Sequence, residues 1–579
     1  MRSLKRRRSL WSLLLLCALG LLLCAELESD GARYVREKKT RETPALVEEL
    51  GFLEFRMSSP AGWQTIRPWC SPTGECFLFL PACAQESGLR AMCCAGFDGL
   101  LDGQPIREDR VIELTPGEHV VELPDEGREF RLNVMQSSGL PAVFLETASG
   151  SLEALHADKE YEEEGSAVVL HPDGSTDYHG PFELLKGRGN VTWAYTDKKG
   201  YQLRFEQEVP LLGMEPARRW LLVSNALDPA LIRNWTTFQL ARESGMQFVP
   251  DSSFADLYIN GEYRGMYQIY EKIETVPGRV EIRDMNAANR KANPELPHLG
   301  DAERGRMKHL PEPMDRSKGY QLPSIPEDST GGYLLELDLD WRYDNYETSG
   351  FVSSRGQYVV VKSPRQADLR QVDYIRQLYQ HFEDAAFSPD CRDPQTGKPL
   401  EELIDLHSFA LKYLLEELVK NQDSYSTSQY LYKPEDAQST LLFAGPPWDY
   451  DRALGVRRIA WDYTEQKTYD LSDPTGFYTC EELTPMNFWH ALYQQPVFRA
   501  ELERTFENDM RPAADRVLEQ VPGLTEALWP SIRMDLTRWE PWPTAITAPQ
   551  REQCFRREVS GMMDFLRQRT DWLHEQWTQ

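Results

Sequence analysis

Leu406-His-Ser-Phe-Ala-Leu-Lys-Tyr-Leu-Leu-Glu-Glu-Leu-Val-Lys-Asn-Gln-Asp423 and, further on, Pro447-Trp-Asp-Tyr-Asp-Arg-Ala-Leu-Gly455 carry the decisive pattern of this chain. The first piece reads as a helix from about Leu400 to Lys420, with Leu403, Leu411, Leu414, Leu415 and Leu418 as apolar positions. Asn421-Gln422-Asp423 then leaves the helix as a loop. Two short strands follow, the second around Leu441 to Phe443, before the proline-rich turn that bears Asp449 and Asp451. A hairpin between them can fold Asp423 and the Asp449/Asp451 pair onto one another. Taken singly, Asp423 also fits a helix C-terminus, and Asp449 and Asp451 a surface turn packed by Trp448.

Working outward, strands are expected at Gly332 to Asp338 and Tyr358 to Lys362. Leu369, Val372, Ile375, Leu378 and Phe382 mark an amphipathic helix, and the chain after Gly455 is mostly helical, notably Phe498 to Val521 and Gln553 to Trp577. Residues 284–330 are polar and rich in proline, which reads as a mobile loop between two lobes. Upstream, 139–283 alternates strands with one helix. Asp228-Pro229 suits that helix's N-cap and first turn, and Gly245 its end. Asn260-Gly261 between two β-rich runs signals a hairpin, because a type I′ turn needs positive φ at both positions. Residues 50–138 read as a small β-rich domain.

The N-terminus carries Lys5-Arg6-Arg7-Arg8 and an apolar run from Leu10 to Ala25. This is the layout of an export signal, cleaved or retained as an anchor over 1–25, followed by a charged linker over 26–49. Membrane association is expected only through that segment if it is uncleaved, and the protein is expected to be secreted or anchored at the cell surface. Of 10 cysteines, Cys17 and Cys24 fall in the leader, and five of the remaining eight crowd into Cys70, Cys76, Cys83, Cys93 and Cys94. Disulfides are the expected use in an oxidising compartment, with zinc as the alternative. The formal net charge of −27 argues against a nucleic-acid partner.

Phosphoryl transfer needs a carboxylate to orient the nucleophile, acidic ligands for a metal, and cations on the phosphates. Asp423 suits the first role, and Asp449 and Asp451 the second. Gly187-Arg188-Gly189-Asn190 and Lys198-Lys199 combine flexible backbone with cations, as a phosphate site or as an exposed basic hairpin. No GxGxxG or Walker sequence is present. Asn190-Val-Thr192 and Asn234-Trp-Thr236 match glycosylation sequons.

Several blocks then occur in an order that resembles a known family. They are Leu185-Lys-Gly-Arg-Gly-Asn-Val-Thr-Trp193, Lys198-Lys-Gly-Tyr-Gln-Leu-Arg-Phe205, Leu211-Leu-Gly-Met214, Trp220-Leu-Leu-Val-Ser-Asn225 and Leu231-Ile-Arg-Asn234. Next come Asp256-Leu-Tyr-Ile-Asn-Gly-Glu-Tyr-Arg-Gly-Met-Tyr267, Gly331-Gly-Tyr-Leu-Leu-Glu336 and Pro447-Trp-Asp-Tyr-Asp451. From about Pro141 to Gly455 the chain resembles the spore-coat CotH kinase family of atypical, exported protein kinases. The resemblance implies an α+β, kinase-like fold of two lobes (139–283 and 331–579) with a helical C-terminal part. It implies ATP with Mg²⁺ or Mn²⁺, and a Ser/Thr-containing surface or coat protein as acceptor. Asp423 would be the catalytic carboxylate and Asp449 the metal ligand, with Asp451 as its alternative or partner. Lys199 and Arg188 would contact phosphates, and Glu271 would lie near the adenine. Where many members carry a metal-binding Asn, five residues after the catalytic Asp, this chain has Ser428, with Gln429 beside it. An inactive surface or adhesion protein of the same fold, and an AMP transferase, are the alternatives.

Overall fold

The computed structural model describes residues 53–578, apart from 85–88, 94–97, 108–109, 126, 297–298, 300–316, 457–458, 462–467, 482–483, 485 and 540–547. The leader, the linker, Cys94 and much of the polar 284–330 segment therefore lie outside the described residues. The fold is mixed α+β.

The centre of the first half is a closed seven-stranded barrel. Its strands, in barrel order, are Ala142–Thr147, Glu163–Leu170, Thr176–Arg188, Gly200–Val209, Ala217–Val223, Glu262–Glu271 and Ser252–Ile259. All neighbours are antiparallel except the closing pair, where Ala142–Leu145 runs parallel to Asp256–Ile259. Alternation sends Val143, Leu145, Leu203, Phe205, Trp220, Leu222, Leu257 and Ile269 into one apolar cluster, so the barrel is filled by side chains. Asn260 (φ 52°) and Gly261 (φ 79°) turn the last hairpin, with Ile259 opposite Glu262. Both φ values are positive, as the Asn-Gly signal requires.

Residues 53–136 form a three-stranded and a six-stranded sheet, and Cys70 and Cys76 are disulfide-bonded within the latter. Cys83 is buried against Met57, and burial pushes its thiol up to about 12. Phe55, Leu78, Phe79 and Val134 of these sheets pack with Phe144, Tyr258 and Tyr263 on the outside of the barrel and with Met534 from the C-terminal part.

The second half is built on an antiparallel five-stranded sheet in the order Gly350–Val352, Tyr358–Ser363, Tyr333–Asp338, Gln429–Lys433 and Phe443–Ala444. Against it lie the Leu369–Phe387 helix, opened by an Asp368/Gln371 capping box, and the Leu406–Val419 helix, whose every residue from Phe409 onward is buried. The latter begins six residues later than its apolar pattern predicts. Leu400–Glu402 is a separate 3₁₀ turn, because the Asp405 carboxylate accepts from Ser408 N–H at 2.7 Å and starts the helix there. The Arg233–Glu243 helix likewise starts after Asp228, whose carboxylate accepts from the N–H groups of Ala230 and Arg233 at 2.8 Å. Within the segment read as a loop, Met285–Ala292 is a helix capped by Asp284. The chain closes with helices Pro496–Thr505, Arg511–Arg538 and Ala548–Thr578, the first two joined by a π-helical turn, Phe506–Met510. Among the described residues no helix is long and apolar enough to cross a membrane.

Candidate active site

A cavity of about 400 Å³, the size range of small-molecule sites, opens between one end of the barrel and the five-stranded sheet. The barrel side supplies Arg188 to Thr192, Val223 to Asn225, Asn234, Phe238 and Tyr270. The opposite side supplies Glu336, Trp341 and Arg342, then Asp423, Thr427 and Ser428, then Trp448, Asp449, Asp451 and Arg452. Asp423, Asp449, Asp451 and Arg188, read from the sequence as one site, do line one cleft.

Each reaches it for a local reason. The Leu406–Val419 helix stops at Lys420, whose left-handed φ of 45° turns the chain out. Asn421 Oδ1 then accepts the Asp423 N–H at 3.2 Å, and the N–H of Ser426 donates back to Asp423 O at 3.2 Å, which rounds the loop. Ser428 (φ 57°) and Asp449 (φ 69°) are both left-handed, an uncommon state for these residues and one concentrated at functional loops. They face each other, with Ser428 Oγ 3.4 Å from Asp449 Oδ2. Trp448 packs edge-on against Tyr270 at 5.9 Å, and the Arg188 guanidinium lies over its ring at 5.3 Å.

The acids repel one another. Burial, then Asp449, raises the Asp451 carboxyl to about 7, with Asp228 and Asp423 adding to the rise and Arg452 opposing it. Asp228 is itself buried and ion-paired to Arg233. Two other lining residues, Ser224 and Tyr270, carry buried hydroxyls that lack a hydrogen-bond partner among the described residues. A cleft that crowds carboxylates and leaves polar atoms unsatisfied is suited to a cationic and polar ligand. Oxygen donors on Asp449 and Asp451 match the preference of Mg²⁺ or Mn²⁺, which usually takes one or two carboxylates and completes its shell with water or phosphate. Among the described residues no three or more His, Cys, Asp or Glu side chains gather as a metal cage.

Two expected residues do not belong to this cleft. The Lys199 ammonium donates to Trp193 O and lies over the Trp193 ring at 5.3 Å, away from the lining. Its neighbour Lys198 is buried and pairs with Asp535 at 2.5 Å while donating to Met266 O at 2.8 Å. Glu271, at the end of its strand, accepts from Asp251 N–H at 3.0 Å beside Arg279 and is also outside the lining. The cations that do line the cleft are Arg188, Arg342 and Arg452. Arg342 is committed to Asp338 and Thr427 Oγ1, each at 3.1 Å. Arg452 was within reach of sequence reasoning, since it directly follows Asp451. Of the two sequons, Asn190 is exposed at the cleft, whereas Asn234 is 6% exposed and accepts the Tyr450 N–H at 2.8 Å.

The CotH kinase protein family model matches residues 185–573, which takes in the barrel strands from Leu185, the cleft and the helical part. The chain belongs to the CotH kinase family. A comparison with curated proteins gives no match. The CotH match starts inside the strand that delivers Arg188 and ends inside the last helix, so both walls of the cleft fall within it.

Proposed function

We propose that this CotH-family chain is an exported protein kinase. It would transfer the ATP γ-phosphate to a serine or threonine hydroxyl of a surface or coat protein, with the barrel and the helical part acting as two lobes around the cleft. The observation that carries this is the meeting of Asp423, Asp449 and Asp451 from two separate loops in a single cleft with Arg188 and Arg452. Asp423 would orient the acceptor hydroxyl and take its proton, at the end of a loop fixed to a buried helix. Arg188 and Arg452 would hold phosphate oxygens. Asp449 and Asp451 would hold Mg²⁺ or Mn²⁺, which when bound offsets the phosphate charge.

A polypeptide acceptor suits the cleft mouth. Six large apolar side chains are exposed among the described residues. Val191 and Trp341 line the cleft, and Tyr346 meets Trp341 edge-on at 6.0 Å. Three of these six side chains thus lie at or beside one opening, as at a docking site. Trp341→Ala is expected to raise KM for a protein acceptor several-fold and leave KM for ATP unchanged.

The test is purified protein with γ-labelled or α-labelled ATP, Mg²⁺ or Mn²⁺ and a Ser-rich acceptor. Transfer of γ label, reduced about 100-fold or more in Asp423→Ala and in Asp449→Asn, is the expected result. Transfer of α label instead would make the protein an AMP transferase. No transfer of either label would make it a non-catalytic member of the family, the reading that Ser428 favours by replacing an amide ligand with a hydroxyl.

A further inference from the structure

Asp423 and the Asp449/Asp451 pair ride on separate loops, yet transfer chemistry requires a fixed spacing between them. Behind both loops lies the Leu406–Val419 helix, with Lys412 and Glu416 fully buried in its last turns. The two carboxylate oxygens of Glu416 serve different loops. Oε1 accepts from Tyr450 OH at 2.7 Å and from the Lys412 ammonium. Oε2 accepts from Asn421 Nδ2 at 2.8 Å. Asn421 then uses its remaining oxygen to accept the Asp423 N–H. Tyr450 stands between Asp449 and Asp451, and its hydroxyl is the donor in the bond to Glu416 Oε1. A continuous buried chain therefore runs from the Asp423 backbone through Asn421 and Glu416 to Tyr450.

Resting on the kinase reading of the cleft, we propose that Glu416 is a positioning residue that sets the distance between Asp423 and the Asp449/Asp451 pair. A carboxylate suits this role because both of its oxygens accept. An amide offers one accepting oxygen, and its NH₂ would face either Tyr450 with Lys412 or Asn421. Turning the Asn421 amide over to meet that NH₂ would bring its own NH₂ against the Asp423 N–H, donor against donor. Turned toward Tyr450, the NH₂ can be accepted by the phenol oxygen but opposes the Lys412 ammonium, donor against donor, so Glu416→Gln weakens at least one of the two ties.

The full chain is the material for the test, with two readouts. In γ-phosphate transfer, Glu416→Gln and Tyr450→Phe are each expected to lower kcat about 10- to 100-fold, with KM for ATP changed less than about threefold. In amide hydrogen exchange, Tyr450→Phe is expected to speed exchange of 421–428, a loop it does not belong to, as well as 447–453. Combining Tyr450→Phe with Asn421→Ser is expected to cost less than the product of the single losses, because both cut the same chain. Wild-type kcat in Glu416→Gln, or unaltered exchange of 421–428 in Tyr450→Phe, overturns the proposal. Tyr450→Phe removes one hydroxyl and keeps the ring, so it carries the test even if Glu416→Gln does not fold. If the wild-type chain transfers no phosphate, the kinase reading fails, and the exchange experiment still decides whether the two loops are linked.

Discussion

At the scale of single residues, three of the polar residues that line the cleft, Asn225, Ser428 and Asp449, have left-handed backbones. Asparagine tolerates positive φ better than serine and brings a carbonyl ligand. Ser428→Asn is thus expected to keep or slightly raise the melting temperature and to tighten Mn²⁺ binding, as read by calorimetry; an unchanged Mn²⁺ affinity would remove Ser428 from the metal-binding account. A second titrating group lies beside Trp193 and Tyr201. Burial, with Arg264 and Lys199 adding, lowers His156 to about 4, and its Nε2 meets Tyr201 OH at 2.8 Å. The unfolded chain protonates this imidazole near its ordinary value of 6.5, whereas the folded chain does so only near 4. Its stabilising contribution is complete above that ordinary value and falls as the pH drops toward 4. His156→Gln should flatten the melting temperature against pH over that window, and a curve parallel to wild type would rule out the assignment. The aspartates were legible in the sequence because their order along the chain already implied a fold-back. Lys199 and Glu271 were misplaced because side-chain direction near a barrel strand is set by closure. Lys198 turns in to meet Asp535, a residue far along the chain, and Lys199 is left against Trp193.

At the scale of elements, period and punctuation were good guides wherever a cap or turn is local. The Asn260-Gly261 hairpin came directly from its dipeptide. The start of the Leu406–Val419 helix did not, because Leu400 and Leu403 continue the apolar pattern while the Asp405 carboxylate ends it. Asp405→Ala is expected to cost about 1 kcal/mol in chemical denaturation; a cost near zero would mean that packing alone sets that boundary. The hairpin tip has a second role. Arg67 donates to Asn260 O at 2.7 Å and Arg67 N–H to Gly261 O at 2.8 Å, which moors the N-terminal sheets to the barrel. A Cβ at Gly261 would meet Thr65 Cγ2 at 3.1 Å in a backbone already at positive φ. Gly261→Ala should destabilise by about 1–2 kcal/mol, with exchange rising first at 62–67. The barrel itself was not legible, since period-two strands predict sheets and say nothing of closure.

At the scale of the whole molecule, the Arg511–Arg538 helix is the tie. Arg516 pairs with Glu243 at 2.6 Å, Ser531 donates to Asp256 at 2.8 Å and meets Ser137 at 2.7 Å, and Asp535 neutralises Lys198. Gly265 (φ 109°) lets it approach, for a Cβ there would sit 2.3 Å from Asp535 Oδ1. Removing one member strands the other charge in the interior. Asp535→Ala is expected to cost about 3–5 kcal/mol, and Lys198→Met with Asp535→Leu to recover most of it; equal stability of the single and double variants would show that the pair is not coupled. This tie also orders the birth of the protein. The barrel strands leave the ribosome first, but the counter-charge for Lys198 and the hydroxyl for Asp256 belong to the penultimate helix. Until residue 535 emerges, Lys198 lacks its carboxylate partner and Asp256 lacks the Ser531 hydroxyl. A chain cut short before the Arg511–Arg538 helix is therefore expected to carry a less stable barrel, read as faster amide exchange in its strands.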